Sequence, residues 1–272
     1  MPAMPRAINV FASAAVLFLS AAGRGYGASP ADNGFVVFDA LLYQHKPQLS
    51  AFGMRPALQM NPPQGMNDEL DEARTRQTMA AVKESDAVVF LDYETWPLGG
   101  VPPQIIAANV AKYIRVADIA HEAAPKATFG FYGLMPCREY WGLVNNDRRK
   151  IDEWRECSRQ GEAIANHVEV IFPSLYTFYN DQNSWDIYAR GMIEEARRYK
   201  KPVYVFLWPE FHVSNRLLKG TEIPAKFWRH ELDFCRGLAD GIVIWGGWQE
   251  QWRDDAPWWI ETKAFLATLG AP

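Results

Sequence analysis

Ala87-Val88-Val89-Phe90-Leu91-Asp92-Tyr93-Glu94-Thr95-Trp96 is the stretch from which the rest of the chain is read. Its first five residues form an apolar run rich in valine, which reads as a strand buried on both faces. The run ends in two acids one residue apart, Asp92 and Glu94. On an extended backbone, residues i and i+2 point to the same side. Two carboxyls therefore leave one buried strand side by side. Like charges so placed raise one pKa, and partial burial raises it further. A protonated acid beside an ionised partner suits cleavage of a glycosidic bond. An isolated D-x-E at a strand end can also do no more than cap the next loop, so the weight of this pair depends on its surroundings.

Outward from this strand, apolar runs alternate with amphipathic segments. Strands are expected at 35–39, weakly at 49–54, and at 87–92, 128–133, 168–174, 202–208 and 241–245. Helices are expected at 67–84, with Asn67 as N-cap and acids in the first turn, and at 104–123, 147–166, 184–199, 224–238 and 257–269. Strands that alternate with helices imply a parallel sheet with crossover helices. Seven or eight such units in about 240 residues predict a single α/β domain, a distorted TIM-like (β/α)7-8 barrel over residues 29–272. The rival, an open doubly wound sheet, favours a glycine-rich phosphate loop after its first strand, and Asp39-Ala40-Leu41-Leu42 is not one.

The N-terminus carries Arg6, an apolar run over 7–22 and then small residues. This predicts a secretory signal peptide over 1–28, cleaved near Ala22 or Ala28. The run is shorter than the roughly 20 residues of a membrane span, so no membrane association is expected after cleavage, and the destination is secreted or periplasmic. Removing residues 1–28, which hold Arg6 and Arg24 and no acid, takes the formal net charge from -4 to -6. That balance, without a basic run, excludes nucleic acid as an expected partner and weighs against a strongly polyanionic ligand. There are three cysteines, Cys137, Cys157 and Cys235. In an oxidising compartment two can pair, and closeness in sequence selects Cys137 with Cys157. Their spacing fits no metal motif, so neither metal nor cofactor is expected.

In a barrel of this kind the site lies at the carboxyl ends of the strands. The residues that fall there are Asp39, Asp92, Glu94, Tyr132, Tyr176, Trp208, Glu210, Trp245 and Trp248. They are acids and aromatics throughout. Aromatic walls suit the apolar faces of sugar rings, so the expected partner is a polysaccharide or oligosaccharide.

Five blocks also carry a resemblance. They are Phe90-Leu91-Asp92-Tyr93-Glu94-Thr95-Trp96, Phe129-Gly130-Phe131-Tyr132-Gly133 with Pro136-Cys137, Phe172-Pro173-Ser174-Leu175-Tyr176, Pro202-Val203-Tyr204-Val205-Phe206, and Gly241-Ile242-Val243-Ile244-Trp245-Gly246. In order and spacing the chain resembles the hyaluronidases, glycoside hydrolase family 56. The resemblance implies a retaining, substrate-assisted mechanism. It makes Glu94 the general acid/base, with its pKa raised, and Asp92 the group that orients the substrate's N-acetyl amide. Tyr176 would hold the acetamido group, Trp245 would wall the sugar subsite, and Tyr132 would donate a further hydrogen bond. The chain departs from that family at Pro97-Leu98, where an arginine and a proline are usual, and at Glu210, which replaces an apolar residue. Glu210 opens a second mechanism, as an enzymic nucleophile if it lies about 5 Å from Glu94. A carbohydrate-binding barrel without catalysis is the alternative from another class. It has no use for two crowded acids, whose repulsion is destabilising.

Overall fold

The computed structural model describes residues 34–61, 69–248 and 250–270. The expected signal peptide and the expected cap Asn67 lie outside them. Six strands, β1 (Val36–Leu41), β2 (Arg55–Met60), β3 (Val88–Leu91), β4 (Thr128–Phe131), β5 (Tyr204–Leu207) and β6 (Gly241–Gly246), are all parallel, in the order β4-β3-β2-β1-β6-β5. The stretch 168–174 fills the gap between β4 and β5. Tyr132 bridges to Phe172, Ile171 to Val203 and Ser174 to Phe206. The amide of Gly133 donates to the carbonyl of Phe172 at 2.9 Å, and that of Leu175 to Phe206 at 2.9 Å. Seven parallel segments thus close a ring, as the alternating pattern predicts.

The seventh segment is a row of bridges and not the expected strand because Pro173 has no N–H for the ladder. Its carbonyl still accepts from the amide of Phe206 at 2.8 Å. The weak strand expected at 49–54 is instead a 3-10 turn, Leu49–Phe52, closed by Gly53 at φ 83°. The strand starts after that left-handed residue, at Arg55, which moves β2 several places along the chain.

Helices α1 (Glu72–Met79), α2 (Pro103–Ala123), α3 (Trp141–Val144), α4 (Arg148–Ala165), α5 (Gln182–Arg197), α6 (Ala225–Arg236) and α7 (Pro257–Ala267) make the outer layer. Among the described residues the cap of α1 is Asp71, whose side chain accepts from the amide of Arg74. Asp147 and Asp181 cap α4 and α5 in the same way. Prolines stand in the first turn of α2 and α7, where a missing N–H costs no helical bond. The short α3 lies in what the sequence reads as the exit loop of β4.

Alternation along the strands divides the apolar side chains in two. Phe38, Ala40, Ala57, Phe90, Phe172, Phe206 and Val243 pack together inside the ring. Val37, Leu41, Val89, Leu91, Phe129, Phe131, Val205 and Ile244 belong to the larger core under the helices. Gly130 faces inward, in register with Phe90. A Cβ there would come within 2.4 Å of the Val170 carbonyl oxygen and 2.8 Å of the Phe172 ring. The missing side chain lets that ring occupy the lumen beside Phe90 and Phe206. Gly130→Ala is expected to overpack this layer and destabilise the fold by about 1–3 kcal/mol. Urea unfolding checks this, and an unchanged midpoint would mean the lumen is loosely filled.

Candidate active site at the carboxyl ends of the strands

The inward register of β3, Val88 and Phe90, continues to Asp92, whose amide still donates to the carbonyl of Met60 at 3.0 Å. The inward register of β2, Ala57, continues to Gln59, whose Nε2 donates to Asp92 Oδ2 at 2.8 Å. Burial, reinforced by the charge of Glu94 and opposed by the bond from Gln59, pushes the carboxyl of Asp92 up to about 6. Glu94 stands one step further out, its side chain 47% exposed, with Arg138 Nη2 at 3.9 Å from Oε1. Tyr93, between them, points outward and stacks on Trp96 at 4.9 Å. The hydroxyl of Tyr113, on α2, donates toward the carbonyls of Trp96 at 3.0 Å and Tyr93 at 3.3 Å, which pins the turn that presents both acids.

Four further segments bring their inward residues to the same mouth. Tyr132 follows β4, and its hydroxyl lies 3.2 Å from Ser174 Oγ. Its ring is 5.9 Å from that of Tyr176. Trp245 lies nearly parallel to Tyr176, at 6.0 Å and 29°, and Trp208 meets both edge-on at 5.6 and 5.1 Å. Burial first, then Tyr132 and the charge of Asp92, hold the Tyr176 hydroxyl well above the ordinary phenol range. Asp92 therefore acts on Tyr176, while Glu94 and Arg138 act on Tyr132, whose hydroxyl burial raises to about 12. The loop carrying Tyr176 is held from outside. Tyr188 donates to the carbonyl of Ser174 at 2.6 Å, Trp185 to that of Leu175 at 3.0 Å, and Thr177 to the fully buried Glu231 at 2.6 Å.

Asp39 is not drawn into this group. Asp39 stands between the inward Phe38 and Ala40 and so points away from the lumen. Lys46 holds both its oxygens at 2.6–2.7 Å, and Asp39 also accepts from the amide of Leu41. Glu210 is buried at the edge of the group, and its carboxyl rises to about 7 through burial, then Glu250 and Glu222, opposed by the Trp208 indole beside it. The acids that act on it are thus not Asp92 and Glu94. Trp248, two residues past β6, is 47% exposed.

The structure adds Gln59 and Arg138, and it brings in His212, which the sequence offers for the same rim as Glu210. Arg138 follows Cys137, which is disulfide-bonded to Cys157 on α4, while Cys235 is a buried free thiol. His212 lies nearly parallel to Tyr176 at 5.9 Å, and burial, aided by Arg138, lowers it to about 4, so its ring is neutral. The Ser214 amide donates to its Nδ1 at 3.2 Å, which leaves the ring proton on Nε2. A place for β2 at 55–60 would have shown Gln59. Arg138 had only its position after a cysteine as a signal. Beside Glu94 a cleft of about 460 Å³ opens between Tyr132, Arg138, Trp96 and Lys150. Among the described residues no group of three or more His, Cys, Asp or Glu is arranged to hold a metal ion. No described helix is long and apolar enough to cross a membrane.

The fold is similar to that of bee venom hyaluronidase, with a TM-score of 0.60 and 14% identity over 86% of this chain and 95% of that one. The same enzyme in complex with a hyaluronic acid tetramer gives a TM-score of 0.59, again with 14% identity, over 86% of this chain and 94% of that one. At such identity the likeness establishes an α/β barrel fold. No family model matches the chain, and no curated protein matches it in sequence.

The raised acid fixes a sign for stability. The fold favours protonated Asp92, so its contribution is complete below the unfolded value near 4 and is lost as pH rises through about 6. Asp92→Asn abolishes that loss. Relative to the wild type, it should gain on the order of 2 kcal/mol between pH 4 and pH 8 in denaturant unfolding. A difference independent of pH would mean that Asp92 is not buried as described.

Proposed function

We propose that this protein is a secreted, hyaluronidase-like endo-glycosidase that hydrolyses N-acetylhexosaminidic bonds with retention of configuration. The observation that carries the reading is an aromatic mouth of Tyr132, Tyr176, Trp208 and Trp245 at the strand ends where β3 presents the buried Asp92, with half-exposed Glu94 at its edge. The fold likeness to bee venom hyaluronidase and the five sequence blocks support it. The apolar run over 7–22, read as a leader, and the Cys137–Cys157 bond support an oxidising destination outside the cytoplasm.

In this reading the sugar whose bond breaks lies against Trp245, with Trp208 closing the wall. Glu94 hands its proton to the bridging oxygen as the bond from that oxygen to the anomeric carbon breaks. The acetamido oxygen of the same sugar attacks the anomeric carbon from the opposite face, giving an oxazolinium ion and a free alcohol. Asp92 accepts a hydrogen bond from the acetamido N–H and offsets the positive charge as it forms. Its burial makes that interaction stronger than in water. The Tyr176 hydroxyl donates to the acetamido oxygen and aims it. Glu94, now ionised, takes a proton from the water that opens the ring, and the second inversion restores the original configuration. The alternative, with Glu210 as nucleophile, needs that carboxylate near Glu94. The charges that act on Glu210 belong to Glu222 and Glu250.

Release of reducing ends from hyaluronan, chondroitin and chitin oligomers tests the reading. Wild type is expected to cut at least one of them, and Glu94→Gln to lose roughly 10²–10⁴-fold in kcat. Nuclear magnetic resonance of the first product should show the anomer of the substrate. The mechanism is wrong if Glu94→Gln is as active as wild type. Binding without cleavage of any of the three would favour a carbohydrate-binding barrel, and a sugar trapped on Glu210 would select the covalent route.

A further inference from the structure

The cleft beside Glu94 does not end at the mouth of the barrel. A second hollow of about 740 Å³ lies on the flank, between the first turns of α2 and one face of α4. The two share Leu98, Gly99, Gly100, Glu153 and Cys157 as lining, so they are parts of one groove. Each lies within the range of about 300–1,000 Å³ that holds a small ligand.

The groove passes over the disulfide. Gly99 makes this possible, since a Cβ there would come within 3.1 Å of Cys157 Sγ. Loop 97–100, which follows the catalytic turn, therefore rests directly against α4. Beyond that point the groove has two unlike sides. On the α2 side Pro103, Ile106 and Ala107 are apolar. On the α4 side stand Asp152, Glu153, Glu156, Arg159 and Gln160. Glu153 is paired with Arg149 and Glu156 with Arg159. Among the described residues Asp152 has neither a hydrogen bond nor an ion pair, and its carboxylate is exposed to the groove.

An apolar strip opposite a row of hydrogen-bonding side chains fits a sugar chain, whose ring faces are apolar and whose rims carry hydroxyls. With Glu153 and Glu156 neutralised by arginines, the charge left over is that of Asp152, which disfavours a uronate or sulfate beside it.

We propose that this flank groove binds the continuation of the glycan beyond the cleavage site, as a set of subsites for uncharged, hydroxyl-rich sugars. The inference rests on the glycosidase reading of the mouth. It adds that longer chains bind and react better than short ones, and that the added units are neutral.

The test uses chitin oligomers from the tetramer to the decamer, with wild type, Ala107→Trp and Asp152→Ala in the full chain. Both substituted residues are exposed on helices, so the fold tolerates the changes, and circular dichroism checks that it does. In wild type kcat/KM should rise at least tenfold from the shortest to the longest oligomer. Ala107→Trp, which fills the groove, should reduce that ratio at least fivefold, and Asp152→Ala should reduce it less. Titration calorimetry of the same oligomers against Glu94→Gln measures the length dependence without turnover. It therefore tests the groove even if no bond is cut. Equal affinity for short and long oligomers, or the same length dependence in Ala107→Trp as in its parent, would overturn the groove while leaving Glu94 its role. Loss of cleavage with the length dependence of binding intact would overturn the mechanism and leave the groove.

Discussion

Everything at the mouth of this barrel depends on the two-residue alternation of its parallel strands. Phe38, Phe90, Phe172, Phe206 and Val243 face inward, so residues an even number of places later at the carboxyl ends face the same lumen. Asp92, Tyr132, Trp208 and Trp245 are therefore neighbours although they come from four strands. The same rule turns Asp39 outward to Lys46 and Tyr93 outward to Trp96. A one-residue slip in any strand would exchange its contribution for an outward one.

Within the mouth, environment separates two carboxyls that the sequence presents as equals. Asp92 is drawn into the lumen, held by Gln59 and lifted by burial. Glu94 stands beyond the last ladder bond, near water and Arg138. The resemblance places the raised acid at Glu94, whereas burial in the structure acts on Asp92. A buried group suits a fixed electrostatic duty, and an exposed one can exchange its proton with the solvent and with a leaving group. Different tasks for the two acids follow from one step along the backbone.

Much of the fold was legible because its strands are covered on both faces. The runs at 87–91, 202–208 and 241–245 are continuously apolar, and only a strand between two layers needs that. The D-x-E pair was legible because parity survives one residue past the ladder. The parts that were not legible have physical reasons. The shift of β2 depends on the left-handed Gly53, and Gln59 was missed with it. The thinning of 168–174 comes from Pro173. Asp39 was placed in the site because an acid ends an apolar run, yet the phase of β1, fixed only by its neighbours, decides its direction. Arg138 is positioned by a turn after a disulfide, and no periodic pattern carries that information.

The phenol of Tyr113, the indole of Trp185 and the hydroxyl of Tyr188 grip the site-bearing backbone from the helix layer, and the carboxyl of Glu231 holds the Thr177 hydroxyl beside it. The scaffold is thus clamped on its convex side, and its concave side is left free for chemistry. Side chains at the opening can be exchanged without loosening what presents them. New specificities are accordingly open to this chassis by substitution at the rim, whereas a change among the four clamps would distort geometry at a distance from any ligand.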